Sequence, residues 1–275
     1  MTQEAAQGEG ALIEAKEIGK SFGRVEALKS VSLAVTGGEV LALLGDNGAG
    51  KSSLIKILTG LFRPDKGDLL WEGEKVRFRS PREAFDLGIA TVYQDLGIVD
   101  LMSIYRNFFL GREDLVSSGV GPFRRIDSAK AKREAIEGLA DMGINIRSAD
   151  ESVANLSGGE RQSIAIARGV RFGAKLLILD EPTSALSLKQ SAQVLKSVEK
   201  ARDDGLAVIF ISHNVHHVHP VADRFVILSH GESIADFRRG DKSKEEISEL
   251  IMYGRQSPEE LLAGERDRTG DEHDG

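Results

Sequence analysis

Three runs of the chain are apolar without a break: 40–44 (VLALL), 176–179 (LLIL) and 207–211 (AVIFI). Short runs with no alternating polar residue suit strands covered on both faces, as in a parallel sheet. Segments 25–33, 69–72, 75–78 and 90–93 mix polar and apolar positions and read as more exposed strands of an antiparallel element. Residues 225–229 and 232–236, separated by His230-Gly231, read as a hairpin. Helices are expected over 52–61, 81–87, 128–142, 158–172 and 188–204, and in the third Ala135, Ile136, Leu139 and Met142 fall on one face. Strands and helices alternate around the three buried runs, so the fold class is α/β with a parallel core. The stretch from about 95 to 172 is mostly helical in pattern and is expected to form a separate lobe.

Composition narrows this picture. Of the 275 residues 41% are apolar but only 5% aromatic, so the core must be built from Leu, Ile, Val and Ala. There is no cysteine, which removes disulfides, thiolate metal sites and a cysteine nucleophile. The polar start shows neither a basic nor an apolar stretch of the kind a secretory signal needs. No apolar run approaches the roughly 20 residues that span a bilayer, so a membrane role is expected to be peripheral. A formal charge of −7 argues against a primary nucleic-acid binder. Residues 1–11 read as a tail, and so do 254–275, where from 255 onward seven acids face three arginines; residues 259–262 could extend a helix.

The chemistry begins at the end of the first apolar run. Gly45-Asp46-Asn47-Gly48-Ala49-Gly50-Lys51-Ser52 matches G-x-x-x-x-G-K-[ST], with a strand before it and a helix after it. Glycines let successive backbone N–H groups turn inward onto phosphate oxygens, and the following helix, with Ser53 in its first turn, adds its positive N-terminal end. Lys51 is expected on the β- and γ-phosphates and the Ser52 hydroxyl on Mg²⁺, which makes ATP and Mg²⁺ the expected ligands. After the second apolar run come Asp180 and Glu181, the first expected at the metal and the second as general base toward the attacking water. His213 follows the third run, at the strand end where α/β sheets bind ligands, and could contact the γ-phosphate. His216, His217 and His219 lie close behind it.

With Leu156-Ser157-Gly158-Gly159-Glu160, 20 residues before the second apolar run, the chain resembles the ABC ATPases over roughly 12–253. Ser157 to Glu160 also has the S-x-x-E form of a capping box, so a helix should start there. The resemblance implies a P-loop NTPase cassette with a RecA-like parallel-sheet core, an antiparallel β subdomain and a helical subdomain at about 95–172. It implies that Ser157, Gly158, Gly159 and Glu160 face the γ-phosphate held by a second copy, in a homodimer. Gln94 resembles the glutamine that joins the metal site to the helical lobe, Phe22 the aromatic that stacks on adenine, and His213 the switch histidine. The loop after Glu181 ends in Ser187, where many family members carry Asp. The wording of 80–84 (SPREA), 92–95 (VYQD), 107–113 (NFFLGRE) and 211–214 (ISHN) is similar to the carbohydrate-importing branch, especially ribose- and fructose-type importers. Such a subunit implies an integral-membrane permease, an external sugar-binding protein as an indirect partner, no nucleic acid, and a place at the cytoplasmic face of the membrane. The alternative is a soluble ABC-type ATPase acting on nucleic acid or ribosomes, which usually carries coiled-coil insertions or paired cassettes that this sequence lacks.

Overall fold

The computed structural model describes residues 10–119 and 125–254. Apart from Gly10, Ala11 and Gly254, the two expected tails lie outside the described residues, as does the helical extension at 259–262. The chain opens with two long antiparallel strands, β1 (Ala11–Phe22) and β2 (Val25–Thr36), and then β3 (Val40–Leu44), which runs into α1 (Lys51–Leu58). The strands β4 (Lys66–Trp71) and β5 (Glu74–Val76) extend the antiparallel side, and α2 (Pro81–Asp86) leads to β6 (Ile89–Val92). Next come α3 (Ile104–Phe108), the short pair β7 (Ser117–Ser118) and β8 (Arg125–Ile126), α4 (Ser128–Asp141) and α5 (Gly158–Arg171). The chain then re-enters the sheet with β9 (Leu176–Asp180), α6 (Leu188–Asp203), β10 (Ala207–Ser212) and α7 (Val215–Val218). It closes with β11 (Arg224–Ser229), β12 (Glu232–Arg238) and α8 (Lys244–Tyr253).

The main sheet has the order β5-β4-β1-β2-β12-β11-β3-β10-β9-β6. From β11 to β6 every pairing is parallel, whereas β5, β4, β1 and β2 pair antiparallel. The hinge between the halves is β12, antiparallel to β11 and joined to β2 through the single pair Glu232 and Ser30.

The unbroken apolar runs follow from this layering. In β3, Val40, Ala42 and Leu44 face a core shared with α4, α5 and α6, while Leu41 and Leu43 face a second core shared with α1 and the antiparallel strands. The same split divides Leu177 and Leu179 from Leu176 and Ile178 in β9, and Val208 and Phe210 from Ala207, Ile209 and Ile211 in β10. With both faces buried, no position is left for a polar residue.

Three departures from the pattern have physical causes. No strand is expected before residue 25, yet β1 is 12 residues long. Its pairing slips between Ala15 and Ile18, where Glu17 takes φ 50°, and this bulge breaks the two-residue alternation. The expected antiparallel strand at 90–93 is instead β6, the edge of the parallel sheet, with Ile89 opposite Leu176 and Val92 opposite Leu179. Thr91 and Tyr93 are not buried, which gives this edge strand its mixed pattern. In α4, Ala131, Ala135, Gly138 and Leu139 are buried but Ile136 is 46% exposed, so the buried stripe lies to one side of the expected one.

Candidate functional site

The site is built on helix starts and strand ends. Helix α1 begins after Gly50, which holds φ 106°; a Cβ there would sit 2.6 Å from Leu28 Cδ2 and 2.8 Å from the Ala27 carbonyl oxygen. Both conformation and space therefore require glycine. No side chain caps α1, and its first turn holds no acid. Helices α4, α5, α6 and α8 are all capped, by Asp127, Ser157, Ser187 and Ser243 respectively. The first N–H groups of α1 thus keep their capacity for an anion. Lys51 folds back over the loop, its Nζ donating to the carbonyl oxygens of Gly45 (2.6 Å) and Asp46 (3.0 Å). Burial lowers the Lys51 pKa, against the opposing pull of Glu181, Asp46 and Asp180.

The carboxylates meet this loop from β9. Burial pushes the Asp180 pKa up, Glu181 adds to the rise, and Lys51 and Lys56 counter it. Both sides of the site thus carry charges that burial disfavours and that the opposite charge does not fully compensate. Glu181, one residue past β9, takes φ 50°, and its N–H donates to the Ile211 carbonyl oxygen at 3.1 Å. That turn aims its carboxylate at the end of β10. Oε1 accepts from the His213 N–H at 2.9 Å and lies 2.6 Å from His213 Nδ1, while the Ser212 hydroxyl approaches Oε2 at 3.4 Å. The expected base and the expected γ-phosphate residue are therefore directly bonded.

Gln94 is exposed two residues beyond β6, whose Val92 pairs with Leu179 beside Asp180. Ser52, Gln94 and Asp180 supply a hydroxyl, an amide oxygen and a carboxylate, hard oxygen donors of the kind Mg²⁺ takes. The raised pKa of Asp180 is what a neighbouring cation would reverse. Phe22 ends β1 and is 42% exposed. Its ring meets Phe62 edge-to-face at 5.2 Å between centroids. Phe62, which no sequence motif singles out, therefore backs the expected adenine platform.

Ser157 caps α5 in a full capping box. Glu160 N–H donates to Ser157 Oγ at 3.3 Å, and Ser157 N–H and Oγ donate to Glu160 Oε2 at 2.8 and 2.7 Å. Among the described residues no hydrogen bond or ion pair joins Ser157–Glu160 to the phosphate loop. Its glycines instead admit the start of α6. A Cβ on Gly158 would lie 2.7 Å from Leu186 Cδ2, and one on Gly159 would lie 3.0 Å from Gln190 Cβ. Ser187 has its own task here: it caps α6 in a second box with Gln190. A cleft of about 620 Å³ on another part of the surface is lined by Gly37, Glu72, Lys175 and Gly205 and contains none of these residues.

A family model described as "ABC transporter" matches residues 28–184. The chain is 44% identical over 240 residues to the xylose/arabinose import ATP-binding protein of Sulfolobus acidocaldarius, covering 87% of this chain and 93% of that protein. It is 40% identical over 254 residues to the fructose import ATP-binding protein of Rhizobium meliloti, covering 92% and 98%. Against the ribose import ATP-binding protein of Caldanaerobacter subterraneus subsp. tengcongensis it is 36% identical but spans only 49% of that longer protein. Among solved structures, an ATP-binding cassette of an ABC transporter in its ADP conformation superposes with a TM-score of 0.76 at 23% identity, covering 92% of this chain and 97% of the other. A dimeric bacterial ABC transporter cassette gives 0.69 at 24% identity, covering 84% and 100%. At these identities the superpositions establish the fold. No helix among the described residues is long and apolar enough to cross a membrane.

Proposed function

The chain belongs to the ABC transporter family, and we propose that it is the ATP-hydrolysing subunit that powers uptake of a pentose or hexose through a separate membrane permease. The observation that carries this reading is the match at 44% and 40% identity over nearly the full length of two sugar-import ATP-binding proteins. The family is an ATPase family, and the cassette binds nucleotide.

The positions of individual residues support a role for each. The uncapped start of α1 and the loop before it receive the β- and γ-phosphates, with Lys51 turning from the Gly45 and Asp46 carbonyls onto phosphate oxygens. Ser52, Gln94 and Asp180 would hold Mg²⁺, which when bound neutralises charge developing on the phosphates. Glu181 accepts the proton of the attacking water, and its bond to His213 sets the direction of its carboxylate. Phe22, buttressed by Phe62, receives the adenine ring. The start of α5 closes over the γ-phosphate of a second copy, giving a homodimer with two sites at the inner face of the membrane, docked on permease subunits. An external sugar-binding protein completes the assembly without touching this chain.

Uptake of labelled xylose, arabinose, fructose and ribose in cells lacking this chain tests the reading. Wild-type protein should restore uptake of at least one sugar. Glu181→Gln should restore none, with turnover down by about 10²–10⁴-fold as expected for loss of a general base and ATP binding retained. Normal uptake of all four sugars without the chain would sink the importer reading.

A further inference from the structure

We propose that Arg161 is a positioning residue that ties the start of α5 to the loop leaving Gln94, so that nucleotide bound by one copy governs how that copy presents Ser157–Glu160 to the other. This rests on the two-copy reading above and adds to it a physical link between the two sites.

The link is built from two segments far apart in sequence. The first, 99–103, is organised by Asn107, which is fully buried. Its Oδ1 accepts from the Val99 N–H at 2.8 Å, and its Nδ2 faces the carbonyl oxygens of Val99, Met102 and Ser103 at 2.9, 3.2 and 3.3 Å. The second, 149–156, runs directly into Ser157. The first segment and the start of α3 that follows it are laced to the second by main-chain bonds from Ile104 to Glu151, Tyr105 to Ala149, Val153 to Met102 and Ala154 to Asp100, all between 2.9 and 3.1 Å. The Ser152 hydroxyl adds a bond to the Asp100 carbonyl oxygen at 2.7 Å.

Arg161, in the first turns of α5, joins this lacing to the helix. Its Nε donates to the Leu156 carbonyl oxygen at 3.2 Å, one Nη to that of Ala154 at 2.9 Å, and the other to the Asp100 carboxylate at 3.2 Å. A lone exposed ion pair would contribute little, and the Asp100 side chain is indeed exposed. The guanidinium instead satisfies two main-chain acceptors and a carboxylate from three separate nitrogens of one planar fork, whereas an ammonium offers all its donors from a single point. The chain thus runs from Gln94 through 99–103, across the lacing and Arg161, to the α5 terminus. A shift of Gln94 on nucleotide binding has a route to the surface offered to the second copy, along five residues of main chain to Val99 and from there through hydrogen bonds.

The test uses the full chain and three measurements: the Hill coefficient for ATP turnover, ATP-driven dimerisation in a Glu181→Gln background, and the Kd for a fluorescent ATP analogue. Wild type should dimerise with ATP and show a Hill coefficient above 1, up to about 2 for two sites. Arg161→Ala should bring the Hill coefficient to about 1 and cut turnover by roughly 10-fold or more, a typical coupling factor. The analogue Kd should stay within about twofold, because the variant lies outside the phosphate loop. Arg161→Lys should not rescue, and Asp100→Ala should show the smaller loss of one contact in three. A cooperative wild type with an equally cooperative Arg161→Ala overturns the proposal alone. Full rescue by lysine, or a Kd that weakens in step with turnover, also overturns it. A wild type that stays monomeric and non-cooperative with ATP removes the two-copy reading and the proposal together.

Discussion

Two helix termini of this molecule are built on opposite plans. The start of α1 has a glycine in place of a cap, no acid in its first turn, and a lysine turned back onto loop carbonyls. The start of α5 closes on itself, with Ser157 and Glu160 exchanging hydrogen bonds in both directions. The first leaves its donors for a ligand that arrives from solution. The second is complete before any ligand arrives, so the phosphate role proposed for it requires the Glu160 carboxylate to give way or to stay clear of the anion. On the function proposed above, one terminus receives its own nucleotide and the other completes a neighbour's site, and these tasks need different resting states.

This contrast can be broken most severely at α1. Lys51→Ala should weaken ATP binding by about 10- to 100-fold, the range for a charged hydrogen bond to phosphate, with calorimetry as the measure. Unchanged affinity would remove Lys51 from the phosphate site. At α5 the same kind of truncation should act on stability instead. Ser157→Ala should cost about 1 kcal/mol of folding free energy through the lost cap, read by denaturant melts, while nucleotide affinity of the isolated chain holds. A matching loss of affinity would mean that the two termini act on one nucleotide within a single copy.

The smallest effect sharpens the contrast in the other direction. Asp180→Asn should raise the melting temperature of the nucleotide-free protein by about 2–4 °C, a usual gain when a functional site's unfavourable charge is removed. Burial raises the folded-state pKa of Asp180, so its cost is present at neutral pH and vanishes once the carboxyl is protonated in both states. The advantage of Asn should therefore shrink as pH falls through the raised pKa toward the ordinary carboxylate value. A pH-independent difference would assign it to packing.

What could be read in advance depends on how local each feature is. The phosphate loop, the α5 capping box and the apolar runs are set by residues within a few positions of one another, and each is visible in the string. Strand β1 was hidden by the bulge at Glu17, which displaces its buried residues by one position. Ser187 stands where an acid is common in the family, yet Gln190 three residues on already spells the box that gives it a role. Asn107 and Arg161 could not be found this way. Their partners are main-chain groups four to eight residues away, apart from the Asp100 carboxylate at 61 residues from Arg161, and a main-chain group leaves no mark on the sequence however near it lies.

The left-handed turn at Glu181 carries a consequence for laboratory evolution. A side chain at positive φ costs about 1 kcal/mol that glycine does not, and this position holds φ 50°. A screen of this chain for heat tolerance alone would reward Glu181→Gly to the extent that this relief outweighs the bonds the carboxylate receives from His213 and Ser212. The winners would fold better, bind nucleotide and transport nothing, so selection for robustness here has to be paired with selection for turnover.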